Sequence, residues 1–309
     1  MRGVLHMSLF VFGHKSPDTD SICSAVSLAY LKNKLGVEAK AYALEEPRKE
    51  AKFVLDYFKV DAPEVLPAGA IKGQDVVLVD HNETAQTADD ISEANLVEII
   101  DHHKIGGLST DLPISVRIMP VGCTCTIIYN LFKENNVEIP YEIAGLLLSA
   151  ILWDTLIFKS PTTTELDKKA ALALAEIAKV DYEKYGMEMF KAGTSLDGFS
   201  IEEIVNMDFK EFDMSGKRVG IGQVMTLDID AVLSKKEEFL AYINATEFDM
   251  LVLAVTDIIN EGSYLIYKGE DKVISEAFGV DASQGVFAEG VVSRKKQLVP
   301  KLTDAVKNI

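Results

Sequence analysis

Positive charge is scarce in this chain. Across 309 residues, 31 lysines and arginines stand against 48 aspartates and glutamates, a formal net charge of −17. A nucleic-acid partner needs a basic surface to neutralise phosphates and is not expected. Most of the acidic excess reads as a solvated surface, with part of it available for metal ligation. Long apolar runs are also lacking. No stretch approaches the roughly 20 residues of a membrane span, so no membrane partner is expected. Met1 to Phe10 carries neither a long apolar segment nor a small-residue cleavage site, which makes it a poor secretory signal. Met7, just ahead of the first strand-like run, is an alternative start. Cysteine is rare and odd in number: Cys23 falls in a helical pattern, and Cys123 and Cys125 flank Thr124. Without disulfide-like spacing these thiols fit a reducing, cytoplasmic setting. The Cys-x-Cys pair can be a metal or redox site, although buried cysteine is commonly just a small core residue. The chain has no internal repeat and no low-complexity segment.

The first half alternates strand and helix patterns. Ser8–Phe12, Glu38–Leu44, Val76–Val79, Leu96–Ile100 and Ile114–Met119 read as strands. A helical pattern runs from Asp20 to a stop at Gly36, and a second is opened by Pro47 and runs through Lys59. Further helical patterns cover Thr124–Asn135, Tyr141–Trp153, Thr164–Lys179 and Tyr182–Lys191. Strands separated by helices imply parallel pairing with right-handed crossovers. The glycine-containing stretch 192–198 reads as a linker. Beyond it, Lys217–Val224, Met250–Val255 and Tyr264–Tyr267 look like strands and Ala231–Ile243 like a helix. The expected architecture is α/β: an N-terminal parallel-sheet domain (1–191) with helices on both faces, and a smaller C-terminal α/β domain (199–309) with a mixed sheet. The active site is expected in the cleft between them.

Histidine is scarce as well, with five in all, yet four of the five lie in three acidic clusters. His14 sits in Gly13-His14-Lys15-Ser16-Pro17-Asp18-Thr19-Asp20, His81 in Asp80-His81-Asn82-Glu83, and His102 and His103 in the triplet Asp101-His102-His103. Each cluster follows an apolar, strand-like run, and open parallel sheets collect ligands at the carboxyl ends of their strands. Imidazoles mixed with carboxylates suit Mn²⁺, Co²⁺, Zn²⁺ or Fe²⁺, whereas all-oxygen cages suit Mg²⁺ or Ca²⁺. His14, Asp18, Asp20, Asp80, His102 and Asp154 are too many ligands for one tetrahedral metal. They are the right inventory for two adjacent metals sharing a carboxylate, an arrangement that can clamp both sides of an in-line phosphoryl displacement. Each cluster also has a plainer reading. Asp20 can cap the helix that follows it, Asp80-His81 can start a polar loop, His102-His103 can bond to backbone, and Asp154 can cap the chain from Thr155 onward. The compact basic run Ser293-Arg294-Lys295-Lys296-Gln297 offers phosphate-binding charge, or is an exposed basic loop.

These motifs, in this order, together with Gly122-Cys123-Thr124-Cys125-Thr126 and Asp154-Thr155-Leu156-Ile157-Phe158-Lys159-Ser160-Pro161-Thr162, resemble the DHH phosphoesterase superfamily. More closely, they resemble the family II (manganese-dependent) inorganic pyrophosphatases, over nearly the whole chain from Gly13 to Gln297. The resemblance implies hydrolysis of pyrophosphate to two phosphates by a hydroxide bridging two metals. It implies that His14, Asp18 and Asp80 hold one metal and that Asp20, Asp80, His102 and Asp154 hold the other. His103, Lys210, Arg294 and Lys295 would bind substrate and assist catalysis, and Asp101 would support the imidazoles. It further implies Mn²⁺ or Co²⁺ at two tight sites, Mg²⁺ or Mn²⁺ arriving with substrate, closure of the second domain and a homodimer through the first. Two positions depart from the family's usual pattern: Trp153 stands where a small Ser is commoner, and Ser16 where Asn is commoner. The regulatory nucleotide-binding insertion that some members carry has no counterpart here, so no adenylate control is expected. An exopolyphosphatase or DHH-type phosphodiesterase would use the same metal site, though a phosphodiesterase usually carries a glycine-rich motif where Ser293–Lys296 stands. A catalytically inactive metal-binding protein would not need the full ligand set.

Overall fold

The apolar runs of the first half build one parallel sheet, seen in a computed structural model that describes residues 8–107, 109–196 and 198–308. His6, the alternative start at Met7 and the linker residue Asp197 lie outside the described residues. The chain divides into two compact units, Met1–Gly193 and Thr194–Ile309.

In the first unit, β1 (Leu9–Phe12), α1 (Thr19–Lys34), β2 (Ala39–Ala43), α2 (Lys49–Phe58) and β3 (Glu64–Val65) run in sequence. They are followed by β4 (Asp75–Val79), β5 (Asn95–Asp101) and β6 (Ser115–Ile118), and then by α3 (Thr124–Glu134), α4 (Tyr141–Asp154), α5 (Glu165–Ala178) and α6 (Tyr182–Gly193). The strand order is β3-β2-β1-β4-β5-β6, with every neighbouring pair parallel. The chain leaves β1 toward one edge and later resumes at β4 on the other side of it. The topological switch point is therefore the gap between the carboxyl ends of β1 and β4, where an open sheet of this kind leaves a crevice.

Strand alternation sorts the core. Phe12, Val76, Leu78 and Ile99 share one face with Ile71 and Ala88 from the connections. Val11, Val77, Val79 and Ile100 alternate to the opposite face, where α1 packs on β1, β2 and β4, and α3 on β5. Helix α4 is apolar almost all round, and Ile143 to Trp153 are all buried, as expected of a helix enclosed on every side. It packs against α1, α2, α3, α5 and α6.

Two helix starts differ from the sequence expectation. Pro47 does not enter the first turn of α2, which begins at Lys49 with Arg48 at the N-cap. Asp18 rather than Asp20 caps α1, accepting from the Ser21 N–H at 3.0 Å.

The second unit contains α7 (Ile201–Asn206), β7 (Phe209–Met214), β8 (Lys217–Thr226), α8 (Ile229–Leu233), α9 (Lys236–Ala245) and β9 (Met250–Asp257). After these come β10 (Gly262–Lys268), α10 (Asp271–Phe278), β11 (Val286–Glu289) and α11 (Val299–Lys307). The sheet order is β11-β10-β9-β8-β7, mixed, with only β8 and β9 parallel. Central β9 is buried at all eight positions. Its two faces meet two cores: Val273, Ile274, Leu298 and Leu302 on one, Ile204, Val232, Phe239 and Ile243 on the other. The single helix expected over Ala231–Ile243 is two helices, broken at Ser234-Lys235.

Gly145 lets α4 approach α2. A Cβ there would sit 2.3 Å from two carbons of the buried Phe58 ring. Gly145→Ala gains about 1 kcal/mol of helix propensity, but overpacking costs about 1–3 kcal/mol. The expected outcome is a net loss of about 1 kcal/mol in denaturant unfolding. An unchanged or raised midpoint would show that the ring yields freely.

Candidate metal centre

The carboxyl ends of three adjacent strands deliver the acidic histidine clusters to one place. His14 lies two residues beyond β1, Asp80 directly follows β4, and His102 and His103 follow β5. Asp18 and Asp20 come from the start of α1 and Asp154 is the last residue of α4. His14, Asp18 and Asp80 each offer a ligand atom within 4.8 Å of the others. So do Asp20, His102 and Asp154, and so do Asp80, His102 and His103.

Asp80 links these groups. Its Oδ2 lies 3.3 Å from His14 Nε2 and its Oδ1 lies 3.4 Å from His102 Nε2. Asp80 is buried and has a left-handed backbone, φ 59°. An ordinary residue adopts that conformation at a cost of about 1–2 kcal/mol. Thr124 Oγ1 donates to the same Oδ1 at 3.2 Å. The imidazoles are oriented from behind: His14 Nδ1 donates to the Lys15 carbonyl at 2.6 Å, and His102 Nδ1 to the Val121 carbonyl at 3.1 Å. A backbone acceptor at Nδ1 fixes the tautomer that leaves Nε2 available to a metal.

Asp101, fully buried, holds the triplet in shape. Its Oδ1 accepts from the His102 and His103 backbone N–H groups at 2.7 and 3.1 Å and from His103 Nδ1 at 2.8 Å. Asn82 donates to its other oxygen and to the Lys104 carbonyl, and accepts from the Gly106 N–H.

The charge pattern calls for cations. Burial, followed by the charge of Asp80, pushes Asp20 up to about 7. Burial and then Asp20, Asp18 and Asp80 push Asp154 well above the usual carboxylate range. Burial by itself would lower His102, but the hydrogen-bonded Asp80 carboxylate lifts it to about 9. Burial likewise opposes a charged His14, and Asp18 and Asp80 overcome it and raise it well above its ordinary value. Asp20 and Asp154 thus tend to retain protons when only protein surrounds them, whereas Asp18 and Asp80, against the effect of burial, are held low by the neighbouring histidines. Two divalent ions would cancel the four carboxylate charges of Asp18, Asp20, Asp80 and Asp154, so the donor set fits the group it would hold.

Sequence reasoning missed the layer that holds these ligands. The N–H groups of Thr124 and Cys125, at the start of α3, donate to Asp20 at 2.7 and 3.1 Å. That loop is in turn held by fully buried Asp167, which accepts from the Gly122 N–H at 2.9 Å and from Thr126 Oγ1 at 2.6 Å. Asp167 also closes the capping box of α5 with Thr164. The Thr164-x-x-Asp167 spacing signals the cap, but nothing local signals the second task.

Both departures from the family's usual pattern have a physical setting. The Trp153 indole stacks on Phe190, with centroids 4.5 Å apart and planes at 12°. Gly193 makes room for it: a Cβ there would lie 2.6 Å from Trp153 Cη2. Ser16 is left-handed, φ 51°, a conformation that Asn tolerates better than most residues. Its N–H and Oγ are tethered to Glu45 Oε2 at 3.1 and 3.3 Å. After Asp154, the residues Leu156, Ile157 and Phe158 are all left-handed and stop α4 at the candidate ligand.

In the second unit, exposed Lys210 lies on β7. Arg294 donates to the Asp208 carbonyl and, at 2.7 Å, to Asp208 Oδ1. Gln297 accepts from the Val292 and Ser293 N–H groups, both at 2.9 Å. The polar ends of the basic run thus shape the loop that carries Arg294 and Lys295.

Residues 8–151 match the family model of the DHH family N-terminal domain, and residues 187–305 match that of the DHHA2 domain. A Staphylococcus epidermidis protein named a probable manganese-dependent inorganic pyrophosphatase is 51% identical over 96% of this chain and 98% of its own. A Clostridium acetobutylicum protein of the same name is 46% identical with the same coverage. This chain belongs to the manganese-dependent (family II) inorganic pyrophosphatases of the DHH family. Its fold agrees with the solved structure of a Methanococcus jannaschii protein assigned to that family, at 44% identity and a TM-score of 0.79 over 97% of this chain and 99% of that one. A Bacteroides fragilis exopolyphosphatase-related protein, 13% identical with a TM-score of 0.52, shares the fold over 97% of this chain and 92% of its own. Among the described residues, no helix is long and apolar enough to cross a membrane.

If Asp20 and His102 ligate a metal, the ion must displace the protons they hold. Those protons are bound below about pH 7 and pH 9 respectively. Mn²⁺ affinity should therefore climb with pH through this window, as for any site whose ligands bind metal in their deprotonated form. Titrations that follow free Mn²⁺ by electron paramagnetic resonance at several pH values check this, and a flat profile would contradict it.

Proposed function

We propose that this chain hydrolyses inorganic pyrophosphate to two phosphates with manganese as its working metal. The observation that carries the reading is Asp80, whose two oxygens face His14 and His102 and so join two donor groups. Relatives 46–51% identical over almost their full length, named for this activity and this metal, support it. In this reading His14, Asp18 and Asp80 hold one ion, and Asp20, Asp80, His102 and Asp154 hold another. When bound, such ions would supply an acidified water as nucleophile and would polarise the phosphoryl oxygens. A further Mg²⁺ or Mn²⁺ ion accompanies the substrate.

The remaining work falls to the chain's own groups. His103 is tied to Asp101 through Nδ1, which leaves Nε2 as the edge that meets a phosphoryl oxygen. The Arg294 guanidinium is shaped to fork onto phosphoryl oxygens. Lys295 and Lys210 add point charges that offset the growing charge on the leaving phosphate. The acidic balance of the whole chain disfavours a polynucleotide substrate. A cytoplasmic location and a homodimer through the first unit belong to the same reading.

The test is phosphate release from pyrophosphate, tripolyphosphate and a dinucleotide, after chelation and again with Mn²⁺ or Mg²⁺ restored. Pyrophosphate should be turned over fastest, and only with metal present. Faster release from tripolyphosphate, or from the dinucleotide, would transfer the site to an exopolyphosphatase or a phosphodiesterase. Asp80→Ala should lower turnover by at least about 10³-fold, because its loss takes one ligand from each ion and leaves the other charges unbalanced. Full activity in that variant would overturn the shared-ligand assignment.

A further inference from the structure

Cys123 and Cys125 take no part in the hydrolysis described above. Both thiols are fully buried, at the N-cap and second position of α3. Their sulfurs and an oxygen of Asp20 lie within 4.8 Å of one another. Asp20 is pinned there by the Thr124 and Cys125 N–H groups. The carboxylate of Asp20 therefore lies between two donor sets. One is His102 and Asp154, with nitrogen and oxygen donors, and the other is sulfur.

The two sets have opposite tastes. Manganese and magnesium favour carboxylate and water, while thiolates select softer ions such as Zn²⁺ and Cd²⁺. A tetrahedral ion with bonds of about 2.0–2.3 Å holds its ligand atoms roughly 3.5–4 Å apart. Three protein ligands leave a fourth position open. His102 and Asp154 are only half-buried, so an ion can enter through the metal centre itself.

We propose that Asp20, Cys123 and Cys125 form a thiophilic-metal site that takes Zn²⁺ or Cd²⁺ and, once filled, withdraws Asp20 from the manganese centre. The second half of this statement rests on the assignment of Asp20 as a manganese ligand. On binding, each thiol forms a bond to the ion through sulfur and releases its proton to solvent. Two protons leave per ion, and no oxidation or reduction occurs.

The test titrates the manganese-loaded full chain with Cd²⁺, without substrate. The expected result is a sulfur-to-cadmium charge-transfer band that saturates at one ion per chain, together with release of Mn²⁺ into solution. The band should vanish in the double variant Cys123→Ser/Cys125→Ser. Cadmium-113 resonance on the unmodified chain reads the donor atoms directly and does not depend on the variant folding. A shift in the sulfur-ligated range supports the site. Release of Mn²⁺ with no sulfur band would mean simple replacement at the oxygen and nitrogen ligands, and would overturn the proposal while leaving pyrophosphate hydrolysis intact. A band that persists in the double variant would place the ion on Cys23 and overturn it equally.

Discussion

One buried carboxylate with an imidazole against each of its oxygens sets the terms for everything around it. Asp80 can occupy that position only because β1 and β5 flank β4, so that His14 and His102 arrive from either side. The cost is concentrated: a left-handed backbone at Asp80, and four acidic side chains in a small volume. Protein alone does not neutralise them, as the upward shifts of Asp20 and Asp154 show. Cations would complete the centre in the electrostatic sense as well as the chemical one.

Around that carboxylate lies a shell of fixed donors. The start of α3 points its amides at Asp20, and Asp167 secures the loop leading into it. Asp101 and Asn82 do the same for the triplet. Every donor aimed at a ligand oxygen or imidazole restricts where a metal can settle, and ligand direction matters as much as ligand identity.

Much of this was legible in the chain. Apolar runs ending in Asp or His marked the tips of β1, β4 and β5, because parallel strands are buried on both faces and their ends are the first place polar groups can surface. What the sequence hid was action at a distance. Thr124 and Asp20 are 104 residues apart and Asp167 and Gly122 are 45 apart, so no local pattern encodes their pairing. Asp20 read as the cap of the following helix, but Asp18 takes that place and leaves Asp20 to face α3. In the second unit, β7 escaped notice because Phe-Lys-Glu-Phe-Asp-Met is a charged, largely exposed edge strand. The break between α8 and α9 carries no Gly or Pro to announce it. Arg294 was readable as a cation, but its clasp on Asp208 was not.

Trp153 is the single tryptophan of the chain. It is bonded in sequence to Asp154, stacked on Phe190, and pressed against the last residue of the first unit. The protein's indole emission therefore arises from one address, the back wall of the metal centre. An ion held by Asp154 would sit one residue along the chain from that ring, which would give the molecule a built-in optical gauge of its own metal content.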